Sequence, residues 1–232
     1  MTRPFAELAR ERRAIRNFRA DPIPDGLLET LLETACWAPS GYNLQPTHFL
    51  LARDEAVRRA LQPACLGQRQ ITEAPAIVVF VGDRQVMQAH LEPMIQADLA
   101  CGALDQAYAR SCRANVRLAF GTGPLGLGWM WKALLAPLAR VFRPVPEIPA
   151  VHRRAWLGRH VMLSAMLFML AAADEGLATC PMEGFDEGRL RRVLGIPRRF
   201  TVPVIVTVGY AADENKPKSR LPLAPRLHRD RW

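Results

Sequence analysis

Two uninterrupted runs of β-branched and apolar residues, AIVVFVG at residues 76–82 and VPVIVTVG at residues 202–209, constrain the fold most. Runs of this length bounded by Pro and Gly read as core strands. A third short run, residues 47–52 after Pro46, reads the same way. The intervals between them are long and carry helical patterns at residues 54–62, 86–118, 156–176 and 186–194. Leu27, Leu28, Leu31, Leu32 and Ala35 recur at helical spacing, with Asp25 as the expected N-cap and Pro39 as the stop. Gly176 ends the third of those helices as a glycine cap, and Asp186 caps the fourth. Strands spaced this widely predict a mixed α and β domain with helices covering a sheet.

The 232 residues carry a net charge of +9, and its distribution matters more than its size. Residues 1–20 contribute +4 and residues 215–232 contribute +5, so the remainder is neutral. Either the two ends are solvated basic tails, or they meet in space around one anionic group. The five cysteines form no CxxC pair and read as reduced core residues. The five histidines are scattered, with no HExxH and no pair at helical spacing, so no metal site is expected. The N-terminus lacks an apolar stretch of signal length, and the run at residues 161–173 is too short to span a bilayer. A cytoplasmic protein without membrane insertion is the expectation.

Residues 120–149 differ in character, with GTGPLGLG, Trp129, Trp131, Phe142 and four further prolines. No regular strand or long helix fits the whole segment. Gly121, Gly123 and Gly126 satisfy GxGxxG, yet a helical pattern precedes them and no acidic residue follows at the required distance, which argues against a dinucleotide site. An apolar lid over a pocket, a dimer-packing excursion and, third, a membrane-surface element remain open.

Four segments carry groups suited to a ligand. Arg12-Arg13-Ala14-Ile15-Arg16 spaces guanidinium groups four apart. Pro39-Ser40-Gly41-Tyr42-Asn43-Leu44-Gln45-Pro46 sets small and amide residues between a helix and a strand. Cys180-Pro181-Met182-Glu183-Gly184-Phe185-Asp186 leads into a capped helix. Asn215-Lys216-Pro217-Lys218-Ser219-Arg220 holds two of the three lysines in the chain.

In order and spacing, RRAIRNF, APSGYNLQPTHFLLA, GLATCPMEGFDEGRLRRVLGIP, VTVGYAAD and KPKSRLPL resemble the flavin mononucleotide (FMN)-dependent nitroreductase family. The resemblance covers roughly residues 8–82 and 155–222. It implies one domain over residues 1–232, with a variable apolar lid or insertion at about 119–150. The implied fold is α+β, a central mixed, mostly antiparallel sheet flanked by helices, in an interlocked homodimer with flavin at the subunit interface. Arg12, Lys218 and Arg220 then correspond to phosphate-binding groups. Arg16 corresponds to the cation near flavin N1 and O2, with Arg13 and Ala14 alongside. Pro39, Ser40, Gly41 and Asn43 would reach the flavin of the partner subunit. Pro181, Met182, Glu183 and Gly184 match the stretch that meets the N5 and O4 side. Gln68 or Gln70 would supply an amide. Ala14 stands where many relatives have Ser, which removes a side-chain hydrogen bond.

The reaction so implied passes electrons from NADH or NADPH through the flavin to a nitroaromatic, quinone or related flat acceptor in two steps, and needs no protein nucleophile. Phe120, Trp129, Trp131 and Phe142 would line the acceptor side or pack the dimer. A specialised flavin reaction on the same fold (flavin cleavage, reductive dehalogenation or azoline oxidation) and a nucleic-acid or anionic-surface binder using the basic termini are the alternatives.

Overall fold

The computed structural model describes residues 4–123, 126–142, 144–212 and 217–232. Its helices are α1 (Phe5–Glu11), α2 (Leu27–Cys36), α3 (Glu55–Leu61), α4 (Gln70–Glu73), α5 (Val86–Ala100), α6 (Gln106–Phe120), α7 (Gly128–Phe142), α8 (Arg153–Asp174) and α9 (Glu187–Leu194). Its strands are β1 (Thr47–Ala52), β2 (Ala76–Asp83), β3 (Ala178–Met182) and β4 (Phe200–Gly209). They form one sheet in the order β1-β2-β4-β3 with every neighbouring pair antiparallel. One parallel bridge, Ala14 to Thr179, adds the mixed element at the β3 edge.

The two apolar runs are the central strands, and burial on both faces is why they never alternate with polar residues. Ile77, Val79 and Val81 of β2 face a core completed by Leu61 of α3, Ile71 of α4 and Leu190 of α9. Ala76, Val78 and Phe80 face the opposite core, which contains Leu28 and Leu31 of α2 and Val161 and Phe168 of α8. A third cluster joins α5, α6 and the start of α8 around Leu44. In α8, Val161, Ala165, Phe168 and Ala172 pack on the sheet, so this long apolar helix is a core helix.

Several expectations need correction. The helical pattern at 86–118 is two helices, because the chain breaks after Cys101 at Gly102, whose φ is +77°. The N-cap of α2 is Gly26, without a side-chain cap, and Asp25 instead pairs with Arg53 at 3.4 Å. β3 lies within a segment read as a lead-in to α9; Pro181 is tolerated there because β3 is an edge strand. Residues 128–142 form a helix in spite of Pro137. Gly121, Gly123 and Gly126 follow α6 rather than a strand, as the rejection of a dinucleotide motif requires. Cys65, Cys112 and Cys180 are buried free thiols, whereas Cys36 and Cys101 are exposed.

Asp186 caps α9 by accepting from the Arg189 N–H at 3.0 Å. The next residue, Glu187, ties three layers together. One oxygen accepts from the Val202 N–H of β4 at 3.1 Å and from Arg191 at 2.7 Å, and the other accepts from Arg154 of α8 at 2.7 Å. Burial alone would push this carboxyl up, but these donors outweigh it and hold the group below the usual carboxylate range. A depressed carboxylate stabilises the fold above its unfolded pKa, and that contribution is lost as pH falls through the folded value. Glu187→Gln is therefore expected to cost about 1–2 kcal/mol near neutral pH. The gap from the parent should narrow below the usual carboxylate range, which urea unfolding at pH 7 and pH 3.5 checks.

Candidate functional site

After α1 the chain runs extended along the β3 edge. The Ile15 N–H donates to the Thr179 carbonyl at 3.0 Å, and Arg19 N–H to the Tyr210 carbonyl at 2.9 Å. Ile15 and Phe18 turn into the core while Arg16 stays exposed. This register places the arginines of the first segment beside β3.

The C-terminal basic segment meets them there. Lys218 donates through Nζ to the carbonyls of Arg10, at 2.6 Å, and Glu11. These carbonyls close the C-terminal end of α1, where a cation is favoured. Arg220 approaches Arg12 closely enough to act on its charge, and its Nη1 donates to the Ser219 carbonyl at 2.8 Å. Burial, then Arg220, lowers the pKa of Arg12, with Cys180 opposing. Burial, then Arg13, lowers that of Lys218, opposed by Glu11 and reinforced by Arg12 and Arg220. A cleft of about 540 Å³ opens here, lined by Glu11, Arg12, Arg13, Thr179 and Lys218. Arg12 Nη1 is buried without a hydrogen-bond partner, as is Thr179 Oγ1. Among the described residues four cations converge here against one acid, and a buried guanidinium donor goes unpaired, so the site is suited to an anion with several acceptor oxygens. Asn215 and Lys216 lie outside the described residues.

From this cleft β3 leads to the remaining predicted residues. Cys180 lies beneath Arg12 and Arg16; burial pushes its thiol up, and the two arginines pull it down. Met182 is buried, Pro181 is half-buried, and Glu183 and Gly184 emerge exposed. Gln68 Nε2 donates to the Gly184 carbonyl at 3.1 Å, and the buried Gln70 donates to Gln68 Oε1 at 2.8 Å. Gln68 is thus the glutamine beside Gly184, and Gln70 stands behind it as a support.

The Pro39–Asn43 segment is elsewhere. The Gly41 N–H donates to His160 Nε2 at 2.9 Å, while His160 Nδ1 bonds the Trp156 carbonyl at 2.7 Å. An imidazole that accepts at Nε2 and donates at Nδ1 is neutral. Ser40 Oγ accepts from the Gln45 N–H at 2.8 Å, and Asn43 Nδ2 donates to Asp98 at 3.2 Å. Tyr42, Asn43 and Gln45 all have positive φ, at 57°, 52° and 46°. Three such non-glycine residues together store strain of a kind that collects at ligand sites. Ala173, which lines the cationic cleft, lies thirteen residues beyond His160 on α8, about 20 Å away at the helical rise. One chain therefore holds two separated groups: Arg12, Arg13, Ala14, Arg16, Gln68, Pro181–Gly184, Lys218 and Arg220 in one, and Pro39, Ser40, Gly41 and Asn43 in the other. His160, which anchors the second group, escaped the sequence reading because it is a lone histidine in an apolar helix.

Of the aromatic residues expected on the acceptor side, Phe120 is a core residue. It is 2% exposed and meets Trp156 edge to face, with ring centroids 4.8 Å apart. Trp129, Trp131 and Phe142 lie on α7 and are exposed, together with Leu134, Leu138 and Val141. Lys132 secures this helix by donating to the Leu118 and Gly121 carbonyls at the end of α6.

A model of the nitroreductase family matches residues 9–210. A protein of Thermus thermophilus called NADH dehydrogenase is 34% identical over 217 residues, spanning 93% of this chain and 90% of its own. MhqN of Bacillus subtilis, which carries the name NAD(P)H nitroreductase, is 29% identical and spans 91% of each chain. A crystal structure of a nitroreductase from Exiguobacterium sibiricum in complex with FMN superposes with a TM-score of 0.74, at 22% identity and 98% coverage of both chains.

Proposed function

Because the chain belongs to the nitroreductase family, we propose that it is an FMN-dependent oxidoreductase passing electrons from NADH or NADPH to a nitroaromatic, quinone or related flat acceptor. The observation that carries this reading is the cleft where Arg12, Arg13, Lys218 and Arg220 converge and Arg12 Nη1 lacks a partner. A phosphate monoester supplies the charge and the acceptor oxygens that this donor set is missing.

FMN, when bound, supplies the two-electron chemistry. Arg12, Lys218 and Arg220 hold its phosphate, with Arg13 and the small Ala14 alongside. Arg16 stands exposed at the β3 edge, where its guanidinium would stabilise negative charge developed on the reduced flavin and so favour electron uptake. Gln68, Pro181, Met182, Glu183 and Gly184 border the ring side. The hydrogen bond from Gln70 pre-orients the Gln68 amide, and that from Gln68 fixes the Gly184 carbonyl. We place Pro39, Ser40, Gly41 and Asn43 against the flavin of a partner subunit, since His160, which holds Gly41, lies about 20 Å along α8 from Ala173 at the cationic cleft. The exposed apolar face of α7 supports a homodimer, with Trp129, Trp131 and Phe142 bordering the acceptor or the interface.

Reductant and acceptor then use one site in turn. Initial rates with NADPH and a quinone varied together are expected to give parallel double-reciprocal lines. Intersecting lines, which require both substrates bound at once, would contradict the shared site.

A further inference from the structure

His48, Asp83 and His90, none of which the proposed function uses, meet at the end of the sheet. Asp83 Oδ2 lies 3.9 Å from the Nε2 atom of each histidine, and all three ligand atoms fall within 4.8 Å of one another. The His90 Nδ1 donates to the Leu44 carbonyl at 3.0 Å, which leaves Nε2 as the ring atom turned toward Asp83 and available to a metal in the neutral ring. The other oxygen of Asp83 is held by the Gln85 N–H at 2.9 Å. Asp83 Oδ2 and His48 Nε2 are both buried and have no hydrogen-bond partner. Three candidate ligand atoms thus converge on one point, with His90 and Asp83 secured from behind, and a cation between them would supply the partner that Asp83 Oδ2 and His48 Nε2 lack.

Among the described residues, Arg199 is the charged group outside the cluster that acts on it. Its Nη2 stands 3.2 Å from Asp83 Oδ2 without making a hydrogen bond, and its guanidinium also lies over the Phe200 ring at 4.6 Å. It is partly exposed, and its positive charge beside Asp83 competes with an ion at this point, so removing it should favour the ion.

We infer that His48, Asp83 and His90 bind a divalent transition-metal ion of the zinc class. Two imidazoles and one carboxylate, with an open fourth position, are a donor set that such ions take. A point equidistant from the three atoms lies about 2.5 Å from each, so closure by a few tenths of an ångström reaches the 2.0–2.2 Å of metal–ligand bonds. The Leu44 carbonyl behind His90 and the Gln85 amide behind Asp83 are the outer contacts that orient metal ligands. The ion would join β1, β2 and α5. Through His90 and Leu44 it would brace the strained loop that carries Ser40, Gly41 and Asn43.

The test is calorimetric titration of chelator-treated full-length protein with zinc chloride, in the parent and in His48→Ala, His90→Ala and Arg199→Gln variants. Far-ultraviolet circular dichroism and thermal unfolding of each variant serve as the folding control, since neither depends on flavin reaching the loop that the ion would brace. The expected result is one zinc ion per chain, affinity at least tenfold weaker in each histidine variant, and tighter binding in Arg199→Gln. X-ray absorption at the zinc edge of the parent, which requires no variant, is expected to show two imidazole ligands. No zinc bound by the parent would overturn the proposal and leave the cluster as a proton-bridged network. Unchanged affinity in the double variant His48→Ala/His90→Ala, or thiolate ligation in the absorption spectrum, would place the ion elsewhere and overturn it equally.

Discussion

Replacing Arg12 with methionine is expected to weaken FMN binding about thirtyfold, while the melting temperature of the flavin-free chain stays the same or rises. The two halves of this prediction have one cause. In the flavin-free chain the guanidinium is partly buried, is pushed down by burial and by Arg220, and keeps Nη1 without a partner. Burying an unpaired charge costs stability, and methionine removes that cost while filling the same channel. With FMN present the same group makes charge-assisted hydrogen bonds to the phosphate. A loss of about 2 kcal/mol corresponds to the thirtyfold change. Adding Lys218→Met should bring the loss to about a thousandfold if the two act independently. Quenching of flavin fluorescence gives the affinity, and thermal unfolding without flavin gives the stability. An Arg12→Met protein that binds FMN within threefold of the parent would remove Arg12 from the phosphate site.

The largest expected effect on stability is at Phe80. Its ring lies on the α8 side of the central strand, 0% exposed, edge to face with Phe49 at 5.4 Å and Phe168 at 5.6 Å. Phe80→Ala removes both ring contacts and leaves a cavity between β2 and α8, where rigid neighbours cannot collapse to fill it. The expected cost is about 3–5 kcal/mol, or roughly 10 °C in melting temperature for a chain of this size. Since α8 carries His160, which holds Gly41, loosening this contact should also release the Pro39–Asn43 segment. Hydrogen exchange at the Gly41 amide should therefore rise more than global unfolding explains. A loss below 1 kcal/mol would mean that the sheet and α8 are not packed as described.

The legible parts of the fold and the site share a property: their signal is local. β2 and β4 announce themselves because residues buried on both faces are apolar or β-branched without interruption, and the Asp186 cap follows from side-chain chemistry within one turn. β3 carries no such signal, since five residues including Thr179 and Pro181 fit an edge strand only when the neighbouring strand is known. The helix at 128–142 was hidden by Pro137 and the flanking glycines, which mark breaks unless the surrounding turns hold. The two basic ends were visible as charge, but their meeting depends on Lys218 reaching the carbonyls of Arg10 and Glu11 from the far end of the chain. Gln68 and Gln70 could not be told apart by spacing. The fold separates them by burying Gln70 and leaving Gln68 at Gly184. Phe120 read as an acceptor-side aromatic because it adjoins the glycine-rich segment; as the last residue of α6 it faces Trp156 instead. The pairing of His48 with His90 likewise exists only once β1 and α5 are side by side.

The most direct test of the central claim is the visible absorption spectrum of the purified protein reconstituted with FMN, recorded before and after anaerobic addition of NADPH or NADH. Retained flavin bands that bleach with a pyridine nucleotide and return on adding a quinone are the predicted result. A protein that does not retain FMN after gel filtration, or whose bound flavin keeps its colour with both nucleotides, would contradict the account.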